Sequence, residues 1–261
     1  MIKNFKKSGR VITDLAMDGI TCIFGRPCVG KTDVATSIYD AVYDMQHFEY
    51  PEHFNNGFCS FDNTGHTKCV ILKDICYKHD MISDWSLTGR TDDTDRSMKK
   101  LLPFLTVPFD KCFPERWSSR DPDSLKAFCC IGYLVLNGTI KKGDILISDC
   151  SEARIHPMLQ IEYAKLLVEL YHTLGIQLVV ISNSIDFWHA LRMHAAKLEL
   201  NDKIDLYEVV KSGLDEQAMT VRIKNDDFEK LFGMFCDTVV EPLEVMRNEL
   251  DEYNINHYTR K

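Results

Sequence analysis

The run Gly25-Arg26-Pro27-Cys28-Val29-Gly30-Lys31-Thr32 fits G-x-x-x-x-G-K-[ST] at every fixed position. Glycines at those places let consecutive backbone N–H groups turn inward around phosphate oxygens. In that arrangement Lys31 reaches the β- and γ-phosphates of a nucleotide, and the Thr32 hydroxyl is offered to Mg2+. A metal held from one side needs a carboxylate on the other, normally at the end of a neighbouring apolar strand. Asp149, which closes the run DILISD, is the best placed carboxylate.

These groups act together only if a strand, the loop and a helix follow one another. Residues 19–24 (GITCIF) are a short β-rich apolar run that stops at Gly25. Residues 31–45 then put Val34, Ile38 and Val42 at i, i+4 and i+8, one face of a helix. That helix would add its positive N-terminal end to the loop. Further strands are predicted at 67–73, 144–149, 177–182, 205–210 and 219–223. Helices are predicted at 125–136, 158–174, 187–198 and 239–253, with Gly175 just past the end of the second. Between about 50 and 125 the pattern blurs, punctuated by Pro51, Pro103, Pro108, Pro114 and Pro122. Alternating buried strands and helices imply an α/β fold with a largely parallel sheet flanked by helices. We expect one P-loop domain over 1–261, with an inserted lobe at about 50–130.

Composition narrows the class. The chain has 261 residues, 45% of them hydrophobic, and a formal net charge of −8. Such acidity counts against a basic coat for nucleic acid, although Lys3, Lys6, Lys7 and Arg10 leave a local contact open. No run of about 18 apolar residues exists, so no membrane span is expected. The basic opening MIKNFKKSGR lacks an apolar continuation, so it does not read as a signal peptide. Ten cysteines without regular short spacing read as reduced thiols of a cytoplasmic protein. Cys59, His66, Cys69, Cys76 and His79 have spacings that could serve a zinc site, but a cysteine in a strand is more often a buried hydrophobe. Near the C-terminus, Leu243, Met246 and Leu250 suit a helix packed on the domain or on a partner protein.

Beyond the loop, the order of motifs resembles a family: the small ABC-type ATPases related to RecF, SMC and OLD proteins, among them the AAA-domain ATP-binding proteins. The opening IKNFK, then a strand and the phosphate loop, is similar to their start. The stretch from GDILISDCSEARIHPMLQ to NSIDFWHAL resembles their D-E-P-E, L-H-P, helix, T-H-S-P and F-x-x-A-L succession. Asp149, Glu152, His156 and Pro157 stand at matching positions, as do Ser184, Phe187, Ala190 and Leu191. Ser124-Leu125-Lys126-Ala127-Phe128 resembles the S-S-G-L-K-S-F signature segment. The resemblance covers most of the chain outside about 50–115. It implies an ABC-ATPase-like fold, ATP and Mg2+ as ligands, and a head-to-tail homodimer with ATP between one loop and the partner's signature segment.

Four positions depart from the family pattern. Cys150 stands where the catalytic glutamate would be, and a thiol is a poor group for polarising the attacking water. Asn183 replaces the switch histidine that senses the γ-phosphate; it can hydrogen-bond a phosphate but carries no positive charge. Asp123 and Ser124 align with the signature Ser-Gly pair, and an aspartate there would repel the partner's nucleotide. No glutamine occurs between Gln46 and Gln160, where a Q-loop residue would sense Mg2+. Glu152 is the one nearby carboxylate that could rescue hydrolysis, though that position is usually structural in the family. The expectation is an ATP-binding protein whose nucleotide state governs self-association or partner binding, with hydrolysis weak or lost. A P-loop phosphotransferase acting on a small molecule is the alternative, with Arg90, Arg96, Arg116 and Arg120 as its lid arginines.

Overall fold

The computed structural model describes residues 2–8, 11–26, 28–47, 57–61, 68–73, 100–101, 103–104, 123–136, 138–153, 155–211 and 217–224. The chain divides into two units, Met1–Arg222 and Ile223–Lys261, and the architecture below belongs to the first. Nine strands form one sheet: β1 (Ile2–Lys7), β2 (Val11–Ala16), β3 (Ile20–Phe24), β4 (Gly57–Phe61), β5 (Cys69–Lys73), β6 (Ile145–Asp149), β7 (Gln177–Ile181), β8 (Ile204–Val210) and β9 (Ala218–Ile223). Among the described residues four α-helices accompany them: α1 (Lys31–His47), α2 (Asp123–Leu136), α3 (Pro157–Leu174) and α4 (Ile185–Lys197). The strand order is β4-β1-β2-β9-β8-β3-β7-β6-β5.

The expected parallel core is present. β3 runs parallel to β7 on one side and to β8 on the other, and β6 is parallel to both β7 and β5. β3, β6 and β7 are buried along their whole length, as near-continuous apolar runs require when both sheet faces are covered. Three strands escaped the sequence reading: β1, β2 and β4, which form an antiparallel flank. β2 alternates buried and exposed residues, so its apolar content is diluted by half; Phe5 and Leu15, paired across β1 and β2, are fully buried. β2 then joins the parallel part through β9.

α1 lays Val34, Ala35, Ile38, Ala41 and Val42 into a core with Ile23, Ile147, Val179 and Ile181. α3 opens on Pro157, with His156 Nδ1 accepting the Met158 N–H at 3.3 Å. It ends at Gly175, whose φ of 64° allows its N–H to return to the Tyr171 carbonyl. α3 and α4 pack along one another and are joined by a His194–Glu169 contact at 2.8 Å. Tyr163 of α3 stands between Phe128 of α2 and Phe187 of α4, with ring centroids at 5.4 and 6.2 Å. These contacts tie the three helices to one another.

No helix among the described residues is long and apolar enough to cross a membrane. Most of the inserted stretch, the 239–253 helix and the lid arginines lie outside the described residues. So do His66, Cys76 and His79. Burial, with the nearby Asp144 charge second, pushes the Cys69 thiol up to about 12, and the half-buried side chain packs against the core. Among the described residues no cluster of three His, Cys, Asp or Glu side chains could hold a metal.

Candidate functional site

β3 delivers the chain into the phosphate loop at the carboxyl end of the sheet, where α1 begins. The loop backbone takes left-handed conformations at Gly25 (φ 150°), Cys28 (φ 62°) and Gly30 (φ 100°). A side chain at Gly25 would place its Cβ 2.7 Å from the Val209 carbonyl of β8. At Gly30 the Cβ would stand 2.7 Å from Val11 Cγ2 of β2. Both glycines are therefore demanded by conformation and by close packing. Gly30→Ala is expected to lower the unfolding free energy by about 1–3 kcal/mol, measured by denaturant unfolding. A change within experimental error would mean that the loop sits elsewhere.

Lys31 is buried, and its ammonium donates to the Gly25 carbonyl at 2.7 Å and the Arg26 carbonyl at 2.8 Å. An ammonium has three donors, so one remains for a phosphate oxygen. Burial lowers the Lys31 pKa from its ordinary value, offset in part by the charges of Cys150, Asp149 and Cys28. The next residue supplies the metal side: Thr32 Oγ1 lies 3.3 Å from Asp149 Oδ1, across from the end of β6. Asp149 is buried as well. A hydroxyl and a carboxylate converging beside a phosphate loop match the oxygen donor set of Mg2+, so the residues fit Mg-ATP. Of the other loop positions, Arg26 and Cys28 are exposed, Val29 packs partly against the core, and Pro27 lies outside the described residues.

The two departing positions are neighbours in space. β6 and β7 pair Asp149 with Ile181, so the turns that follow them lie side by side. Cys150 leaves β6 with φ 51° and donates its N–H to the Ile181 carbonyl at 2.9 Å. Asn183, exposed after β7, donates its Nδ2 to Cys150 Sγ at 3.9 Å. Glu152 turns the other way. It is 2% exposed, its Oε1 accepts the Ser182 hydroxyl at 2.6 Å, and its Oε2 has no hydrogen-bond partner among the described residues. Burial raises this carboxyl to about 7, against the Ser182 bond, with the Asp149 charge adding to the rise. Asp123 and Ser124 open α2, their side chains outside the described residues.

The sequence motifs signal no polar network at this end of the sheet. Ser182, Ser184 and Gln160 join Glu152 in a hydrogen-bonded ring. Glu208, on β8, pairs in register with Phe24 just before the loop; burial raises its pKa and the Arg26 charge opposes that rise. Buried polar residues on apolar strands and helices were the available signal, since such groups need partners.

No family model matches the sequence, and no curated protein matches it. Solved structures do. A bacterial Atm1-family ABC exporter with ATP bound is similar over 92% of this chain and 41% of its own, at 10% identity and a TM-score of 0.54. The SMC head bound to the C-terminal winged-helix domain of ScpA is similar over 88% of this chain and 99% of its own, at 10% identity and a TM-score of 0.53. The chain thus spans less than half of the exporter and nearly all of the head. The phosphate loop, the acid at the end of β6 and the mixed sheet around β3 together are the fold of an ABC-type ATPase P-loop domain.

Proposed function

We propose that this chain binds Mg-ATP, and that nucleotide state governs its self-association or its docking to a protein partner in the cytoplasm. The observation that carries this reading is the convergence of Thr32 and Asp149 at 3.3 Å beside the loop that encloses Lys31. Lys31, Thr32, Asp149 and the backbone of Gly25–Gly30 hold the ligand, and Asn183 faces the γ-phosphate. Hydrolysis is weak or lost. A thiol follows Asp149 where a carboxylate would be needed, and Glu152 is turned into the interior, away from water. The net charge of −8 favours a protein partner over DNA. The SMC head in the comparison is bound to a domain of another protein, which is a precedent for this fold. Asp123 at the signature position disfavours a symmetric head-to-tail homodimer through that segment, so self-association would use another face, and pairing with a different ATPase is one form that partner docking could take.

One titration tests all three parts. ATP and Mg2+ are added while binding, molecular mass and phosphate release are followed on the same sample. The expected result is saturable, Mg2+-dependent binding with a change in mass and little phosphate release. Turnover comparable to an intact ABC ATPase would overturn the weak-hydrolysis reading, and absence of binding would overturn the whole.

A further inference from the structure

The turns after β6 and β7 are tied by a closed ring of hydrogen bonds. Ser182 Oγ donates to Glu152 Oε1 at 2.6 Å and accepts the Ser184 N–H at 3.0 Å. Ser184 Oγ donates to Gln160 Oε1 at 2.6 Å, and Gln160 Nε2 donates back to the Glu152 carbonyl at 3.2 Å and to the Ile155 carbonyl at 3.0 Å. Ser184 Oγ also caps α4 by accepting the Phe187 N–H. Trp188 Nε1, one residue further along α4, donates to the Ser182 carbonyl at 3.2 Å. Glu152, Gln160, Ser182 and Trp188 are all buried.

Such a ring is an expensive way to fill a core, because each member must be satisfied and apolar packing would stabilise as well. Among the described residues Glu152 Oε2 meets no donor, which adds to that cost. What the ring does uniquely is fix direction. Asn183 lies between two of its members, and Cys150 lies two residues before a third. The exposed Asn183 side chain and the half-buried Cys150 thus extend from backbone held by buried bonds. The same Ser182 carries the indole of Trp188, so a shift of the Asn183 turn reaches α4 directly.

We propose that Glu152 and Ser182 are positioning residues that hold Asn183 against the bound nucleotide and transmit its movement to Trp188 and α4. The ligand half of this proposal rests on the Mg-ATP reading; the positioning half does not.

The test uses the full chain with Trp85→Phe and Trp117→Phe, which leaves Trp188 as its one tryptophan. ATP occupancy is measured separately by equilibrium dialysis. Without ligand, Glu152→Leu and Ser182→Ala are expected to shift the Trp188 emission, and Glu152→Gln, which keeps the acceptor oxygen, is not. At saturating Mg-ATP the parent and Glu152→Gln are expected to show an emission change that the other two variants lose. Ser182→Ala removes a single oxygen, so it keeps the test alive should Glu152→Leu fail to fold. Identical ligand-free spectra in all variants would overturn the positioning role. An equal Mg-ATP response in Ser182→Ala and parent would overturn the transmission. Dialysis that detects no ATP in the parent would instead refute the nucleotide reading and the transmission with it, leaving the ligand-free spectra to decide the positioning role.

Discussion

Lys31→Ala is expected to weaken Mg-ATP binding on the order of 100-fold while leaving the fold intact. A hydrogen bond to a charged group contributes about 1.5–3 kcal/mol, and on the proposed Mg-ATP reading the buried ammonium of Lys31 would meet the nucleotide where its charge density is highest. The loss extends past one bond. Two of the Lys31 protons clamp the carbonyls of Gly25 and Arg26, so removing the amine also frees the strand-side half of the loop. The unliganded protein should suffer less. Burial holds the Lys31 pKa below its ordinary value, which means that the empty site disfavours the charge. Losing that unfavourable charge offsets part of the loss of the two carbonyl bonds. Calorimetric titration with Mg-ATP, alongside thermal unfolding without it, separates the effects. Equal affinity in Lys31→Ala and parent would place the nucleotide elsewhere.

That separation between binding and folding bears on what could be read from the residues alone. The phosphate loop was legible because its chemistry needs fixed residue types at fixed spacing, and because the apolar run ending at Phe24 and the Val34, Ile38, Val42 face bracket it. β6 and β7 were legible for a similar reason: strands buried on both faces must be continuous apolar runs. β1 and β4 were not. IKNFKK and GFCSF mix polar and apolar residues as a one-sided antiparallel flank does, and nothing local distinguishes that from an irregular segment. The approach of Thr32 to Asp149 follows from the shared metal role read for them: Thr32 opens α1 after β3 and Asp149 closes β6, with β7 between the two strands. The ring through Glu152 was not inferable. Whether a serine after a strand points inward depends on the partner that meets it, and here that partner is a glutamate thirty residues earlier in the chain. Sequence spacing suggested Glu152 as a substitute for the missing carboxylate at Cys150. Its burial directs it to Ser182 instead, away from the water that a hydrolytic base would have to reach.

The same burial makes Glu152 a strong source of pH-dependent stability. Its carboxyl is raised from 4.5 to about 7 by desolvation, so the folded chain keeps a proton that the unfolded chain releases. The contribution is fully present below the unfolded value and is lost as pH rises through the folded one. At about 1.4 kcal/mol per pH unit, the unfolding free energy should fall by about 2–3 kcal/mol between pH 5 and 8 on this account. For a chain of this length that lowers Tm by about 5–10 °C. Asp144 is also raised by burial and adds to the slope of the parent profile, so the informative quantity is a difference. Glu152→Gln cannot ionise, and its unfolding profile should be flatter than the parent's by that amount. The offset between the two curves at low pH then reports a separate cost, that of placing an amide where Oε2 finds no partner. Parallel profiles would mean that Glu152 is solvated in solution, and with solvent at that carboxylate the argument that it cannot serve as a hydrolytic base would fall too.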